Sequence, residues 1–261
     1  MNLRSTLPLL GLPAILLFSC TKTDQLLNLE ELALKKSGDK KQVKCVDVDG
    51  NSYRTVKIGD KVWMAENLRV TRYRNGQAIP NVSNATEWKN TITATTKGAW
   101  CYYDNNTSNN LPYGKLYNWY AVSDTRGLAP KGWHIPTEQE WIELGRALGG
   151  CETAASKMKT TGNLTAGDGL WQAPNDDATN SSGFSAFPAG DRNSEGVFAG
   201  KSQRTRFWTS VQWEGDPSMI YCLSTNMFAG NPLLVNNDYD IIGYFSSYAA
   251  VGGLSVRCVK D

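Results

Sequence analysis

From Val43 to Asp261 no apolar run continues long before a glycine, asparagine or aspartate interrupts it, so this stretch folds as short strands that turns bring together. The first strands are the clearest. "KCVDV" runs into Asp49-Gly50, "SYRTVKI" into Gly59-Asp60, and "KVWMAENL" follows. Asp-Gly between alternating apolar residues is a hairpin signal. Asp47-Val48-Asp49-Gly50-Asn51 begins like an EF-hand calcium loop, but the later ligands and the distal glutamate do not follow, and the stretch reads as a hairpin turn. Further strands are expected near "GAWCYYD", "GFSAFPAG", "RFWTSVQW", "MIYCLS" and "GLSVRCVKD". In the last run Leu254, Val256 and Cys258 alternate with Ser255, Arg257 and Val259, which turns Cys258 toward a core.

Helices are few. In "PTEQEWIELGRALGG" Thr137 and Glu140 have capping-box spacing. Trp141, Leu144 and Leu148 then form one apolar stripe, and Gly149-Gly150 stops the helix. A second short helix is expected around "ETAASKMK", and the Leu116, Trp119, Tyr120 spacing of "YGKLYNWYAV" also fits a helix. The whole reads as an α+β domain over residues 43–261, without an obvious internal break.

The chain begins "MNLRSTLPLLGLPAILLFSC". One positive charge at Arg4 precedes an apolar run from Leu7 to Phe18, too short for the roughly 20 residues of a spanning helix. Leu17-Phe18-Ser19-Cys20 resembles a bacterial lipobox. Residues 1–19 are therefore predicted to be a lipoprotein signal peptide, with Cys20 the lipidated first residue after cleavage. Residues 20–42 then form a tether with one short helix at "LLNLEELAL", where Leu26, Leu29 and Ala33 share a face. Acyl chains on Cys20 hold the domain to a membrane; the expected place is the outer membrane, on its periplasmic side or at the cell surface.

Charge points away from polyanions. Lys and Arg number 27 against 25 Asp and Glu. The densest basic groups, Lys35-Lys36 with Lys40-Lys41 in the tether and Arg204 with Arg206, read as solvated surface rather than a nucleic-acid face. Besides Cys20 the cysteines are Cys45, Cys101, Cys151, Cys222 and Cys258. In an oxidising compartment they allow two disulfides and leave one thiol. They show no CxxC spacing, and the chain has one histidine, so no zinc pattern arises.

That histidine, His134 in "GWHIPTEQEW", stands at the mouth of the helix. A general base needs a nucleophile or substrate proton within reach and an orienting partner, and the chain has no GxSxG motif. His134 is expected to be a structural imidazole, packed under Trp133 and hydrogen-bonded near the helix start. The loop "WQAPNDDATNSSGF" is the stretch that best suits a ligand. Asn175, Asp176, Asp177 and Asn180 place four oxygen-bearing side chains within six positions, which suits calcium. Trp171 beside them offers an indole face to a sugar ring. Asn and Asp are also ordinary turn residues. Trp63, Trp100, Trp119, Trp133, Trp141 and Trp208 fall in strands or helices and read as core, while Trp88, Trp171 and Trp213 border loops and read as exposed.

Six blocks, in order, carry a resemblance. They are "DVDGNSYRTVKIGDKVWMAENL", "GAWCYYD", "YGKLYNWYAV", "PKGWHIPTEQEW", "ATNSSGFSAFPAGDR" and the C-terminal "SVRCVKD". Together they resemble the Fibrobacter succinogenes major paralogous domain, found in secreted and surface proteins of Bacteroidetes and Fibrobacter. That family looks related to the C-type lectin-like fold of the formylglycine-generating-enzyme variety. The resemblance implies a twisted, mostly antiparallel sheet with two helices, long loops and a final strand that closes the domain. It does not imply the chemistry, because the cysteine-based copper site of those enzymes has no matching pair here. Many members carry a cysteine just before the P-G-W-H block, where this chain has Ala129. If that cysteine normally pairs with the one in the last strand, Cys258 has lost its partner; the resemblance then makes Cys45 the substitute and Cys101 the runner-up.

The expected function is a membrane-anchored, extracytoplasmic, non-catalytic module that binds a glycan or an envelope protein through its loops. The alternative is a structural or adhesin component of a cell-envelope assembly. A third reading, an oxidoreductase derived from the formylglycine-generating fold, requires two reactive, accessible cysteines close together.

Overall fold

The first hairpin forms at Asp49-Gly50: β1 (Cys45–Val46) pairs antiparallel with β2 (Ser52–Tyr53) in the computed structural model. Gly50 takes the left-handed φ of 85° that this turn requires. The Asp47 carboxylate accepts bonds from the amides of Asp49 and Asn51, each at 3.0 Å, from Asn51 Nδ2 at 2.9 Å and from the Tyr53 hydroxyl. Asp49 in turn accepts from the amide and hydroxyl of Thr71. Carboxylates spaced as in a calcium loop therefore hold a turn.

The structure describes residues 43–91, 97–212, 219–226 and 244–261. All belong to the second of two units, Met1–Lys41 and Gln42–Asp261. Cys20, the tether helix and Trp213 lie outside the described residues. No helix among those residues is long and apolar enough to cross a membrane.

The described strands form four small sheets, where one twisted sheet was expected. β3 (Thr55–Ile58), β4 (Lys61–Met64), β7 (Trp133–His134) and β13 (Val259–Lys260) make a sheet ordered β3-β4-β13-β7, so the last strand lies between two earlier ones. β5 (Trp100–Cys101) pairs with β6 (Leu116–Tyr117). The largest sheet contains β8 (Ala189–Arg192), β9 (Phe198–Lys201), β10 (Arg204–Gln212), β11 (Met219–Asn226) and β12 (Tyr244–Ala249), ordered β12-β11-β10-β8-β9. Its pairings are antiparallel except β8 with β10, which meet in parallel at Gly190 and Thr205.

Of the four α-helices among the described residues, α1 (Ala85–Lys89) and α2 (Trp119–Val122) are about one turn each, and α3 (Glu138–Ala147) and α4 (Cys151–Met158) are the two longer ones. α3 begins with the capping box: Thr137 Oγ1 accepts from the Glu140 amide at 3.2 Å, and Glu140 Oε2 accepts from the Thr137 amide at 2.9 Å. Trp141, Leu144 and Leu148 are buried along one face. The helix predicted across "YGKLYNWYAV" is instead β6 followed by α2. Asn118 divides them, because its Oδ1 accepts from the amides of both Ala99 and Ala121 and so caps the helix where the strand ends.

The last run explains the layering. Leu254, Val256 and Cys258 enter one core cluster with Tyr53, Met64, Trp133 and Trp208. Val259 enters a second with Trp63, Trp141, Phe184 and Phe207. The guanidinium of Arg257 lies 4.5 Å from the Phe184 ring centre and 5.5 Å from that of Phe207. The intervening residues Arg257 and Val259 therefore face a second core. Arg204 and Arg206 also depart from the surface reading: both pair with the buried Asp191 carboxylate, at 2.7 and 3.0 Å. Trp88 is buried beneath the Arg192 guanidinium, 4.5 Å from the ring centre, and is not exposed.

Candidate functional site

His134 follows Trp133 on β7, and successive strand residues point to opposite faces. Trp133 is buried, while the imidazole is partly exposed on the other side and does not pack under the indole. Nδ1 lies 2.7 Å from Asp261 Oδ1, and Nε2 lies 2.9 and 3.0 Å from the two Glu140 oxygens. Each ring nitrogen thus faces a carboxylate, one from Asp261 and one from Glu140. The imidazole ties Asp261, next to the last strand, to the start of α3, and Lys61 Nζ completes the cluster 3.1 Å from Glu140 Oε1.

Burial raises the affinity of the Glu140 carboxyl for its proton. The Thr137 amide, His134 and Lys61 outweigh that effect and hold its pKa below the ordinary 4.5. A carboxylate with a depressed folded pKa adds stability that is fully present above the unfolded value and lost as pH falls through the folded one. Urea titrations should therefore show stability falling below about pH 4.5, with Glu140→Gln shrinking that fall. An unchanged acid dependence in the variant would separate the cluster from acid unfolding.

The Trp171 to Asn180 loop is built differently from its expected role. Trp171 is fully buried, its Nε1 donates to Thr160 Oγ1 at 3.0 Å, and Lys159 Nζ lies 5.1 Å from the ring centre. A ring enclosed in this way has no face for a sugar. Asn175 is buried and spends its amide nitrogen on the carbonyls of Thr160 and Gly162, at 3.0 and 2.8 Å. Asp177 Oδ1 accepts from Lys159 Nζ at 3.3 Å, so the carboxylate already faces a cation. Asn180, at a left-handed φ of 47°, binds the amide and hydroxyl of Ser185. Three of the four side chains expected to share calcium thus serve separate partners, and the fourth, Asp176, is exposed. Among the described residues no group of three or more His, Cys, Asp or Glu could hold a metal ion.

Cys45, Cys101 and Cys258 are free, buried thiols. Cys45 and Cys258 share the first core cluster; Cys101 lies in another, with Trp88, Tyr103 and Leu116. The side chains of Cys151 and Cys222 are outside the described residues.

A cleft of about 200 Å³ opens between the first hairpin and the segment before β7. Val46, Val70, Leu128 and Ala129 give it an apolar lining, the exposed Arg74 and Lys131 contribute positive charge, and Asp47, whose carboxylate is engaged within the hairpin, also lines it. Val48, 45% exposed, extends the apolar lining outward. Arg74 shapes the wall: its amide donates to Gly127 O at 2.7 Å, and its guanidinium donates to Ala129 O and Trp133 O, each at 3.1 Å. Sequence reasoning passed over this place because its parts are distant in the chain and carry no motif. The only local hint is a valine at position 48 inside a polar turn.

Comparison with curated proteins and with solved structures returns no match. The model of the Fibrobacter succinogenes major domain matches residues 56–260, from β3 through β13, and the chain belongs to that family.

Proposed function

We propose that the protein is a membrane-anchored, extracytoplasmic, non-catalytic binding module. The observation that carries this reading is the cleft between the first hairpin and residues 128–131, which combines an apolar lining with the cations Arg74 and Lys131. Such a surface suits a ligand with a short apolar body and a negative group, such as an acidic glycan or the acidic segment of an envelope protein. The lipobox-like Leu17 to Cys20 supports lipid attachment ahead of the tether. A C-type lectin-like fold of the formylglycine-generating variety accords with the last strand lying inside a sheet of early strands, and with two longer helices among irregular loops.

Side chains in those loops are engaged with nearby groups: Asp47, Asn118 and Asn175 each hold nearby backbone through two hydrogen bonds, and Asn180 holds the amide and hydroxyl of Ser185. A framework ordered in this way presents a surface with little entropy lost on binding.

The test is a glycan-array screen of the chain from Cys20 onward in detergent, run with calcium and again with chelator, beside a Lys131→Glu variant. The expected result is retention of acidic glycans, reduced about tenfold or more by the charge reversal. Failure of the folded protein to retain any glycan, with or without calcium, would move the reading to a structural component of an envelope assembly.

A further inference from the structure

Val46 and Asp47 are neighbours in the first hairpin, and their side chains leave it on opposite faces. Both line the cleft, which therefore meets the hairpin at an edge. β1 pairs with β2 through Cys45 and Tyr53, and the Asp47 amide donates across the hairpin to Asn51 O at 3.1 Å. Backbone groups alternate in direction along an antiparallel strand, so those of Lys44 and Val46 point away from β2. Among the described residues neither of these two has a backbone hydrogen bond. The lining beside this edge is aliphatic and includes no aromatic ring, the surface on which a sugar stacks. At about 200 Å³ the cleft is smaller than a site for a drug-sized ligand and suits a single side chain. Its cations are unneutralised. The Arg74 guanidinium donates to the carbonyls of Ala129 and Trp133, and among the described residues neither Arg74 nor Lys131 has a carboxylate partner. Asp47, the acid in the lining, spends its carboxylate inside the hairpin.

We infer that the cleft receives an extended segment of a partner protein, which adds as a strand along Lys44 and Val46, seats one branched aliphatic side chain in the cleft and turns a nearby Asp or Glu toward Lys131. This rests on the binding-module reading above and narrows it from acidic ligands in general to acidic, aliphatic peptides. In strand addition the main-chain bonds supply affinity, while a pocket for one side chain supplies selectivity. Here the outward amide and carbonyl groups of Lys44 and Val46 supply the first, and the cleft supplies the second. The exposed Lys44 adds a further positive charge along the edge, and Val48 extends the apolar contact beyond the cleft. Unneutralised cations on both sides of an apolar seat favour a carboxylate-bearing segment and repel a basic one.

The test presents the chain from Cys20 onward, in detergent, with a positional-scanning library of immobilised pentapeptides. The expected result is selection of valine, isoleucine or leucine at one position with Asp or Glu nearby, weakened about tenfold or more by Lys131→Glu. Lys131 is exposed, and a thermal melt confirms that the variant is folded. A selected peptide is then made with its backbone nitrogens methylated at one or the other set of alternate positions. One set should abolish retention, because it removes the N–H groups that face β1, and the other should leave it. Equal behaviour of the two sets overturns the strand addition. Selection of no peptide, or of basic peptides, overturns the proposal as a whole. Acidic glycans retained without any peptide being selected, and weakened by Lys131→Glu, overturn the peptide but leave the binding module standing. Retention of neither by the folded protein overturns both.

Discussion

Arg257→Met should remove about 3–5 kcal/mol of stability, enough to leave a domain of ordinary stability scarcely folded. Arg257 is fully buried between the two cores, and four of its five N–H donors are committed. Nε donates to Asn67 Oδ1 at 2.6 Å, Nη1 to Met64 O and Phe184 O at 2.9 and 2.7 Å, and Nη2 to Ser185 O at 2.7 Å. A methionine fills similar volume but orphans four acceptors, and each unsatisfied buried acceptor costs about 1–3 kcal/mol before relaxation. Burial pushes the guanidinium down to about 9, still charged at neutral pH. Arg257→Lys keeps the charge but offers three donors from one point in place of a planar fork, and should cost about 2 kcal/mol or more. Urea unfolding followed by tryptophan fluorescence would measure both. A shift below about 0.5 kcal/mol for the methionine variant would mean that the four carbonyl contacts contribute little to holding the cores together.

The importance of Arg257 was not legible in the sequence, and the reason is physical. Period-two alternation separates two faces of a strand but does not say what lies beyond either one. Leu254, Val256 and Cys258 were correctly placed on a core face, whereas the face bearing Arg257 and Val259 is equally buried because a second cluster covers it. Local signals fared better. The Asp49-Gly50 turn, the capping box at Thr137 and Glu140, and the stop at Gly149-Gly150 each depend on residues within a few positions of one another, and each has the predicted form. Signals that depend on distant partners did not transfer. Nothing near His134 announces Asp261, its partner across 127 positions. The cleft is assembled from residues 46–48, 70–74 and 128–131, which no motif connects. The family resemblance rests on blocks of sequence that carry the framework, and so it fixes the order of elements better than the chemistry of the surface.

Trp171→Ala should cost about 3–5 kcal/mol, the range for truncating a buried tryptophan, although its sequence context suggested an exposed recognition residue. Two features of the site set that expectation. The indole is enclosed and its nitrogen is bonded to Thr160 Oγ1, so truncation opens a cavity and leaves a hydroxyl without its donor. It also uncovers the Lys159 ammonium, which is 1% exposed and whose charge is met by Asp177 and by the face of the ring. Removing the ring leaves that buried cation with one carboxylate at 3.3 Å, a poorer balance against desolvation. Trp171→Phe retains most of the apolar contact and loses the nitrogen bond, and should cost about 1–2 kcal/mol. Loss of ligand retention by Trp171→Ala would therefore accompany loss of the folded state, and the alanine and phenylalanine variants should rank by stability. If Trp171→Ala instead left the unfolding midpoint in place and abolished retention of a glycan, the indole would be a ligand surface after all. The loop would then have to open on binding, releasing Trp171 from Thr160 and Lys159.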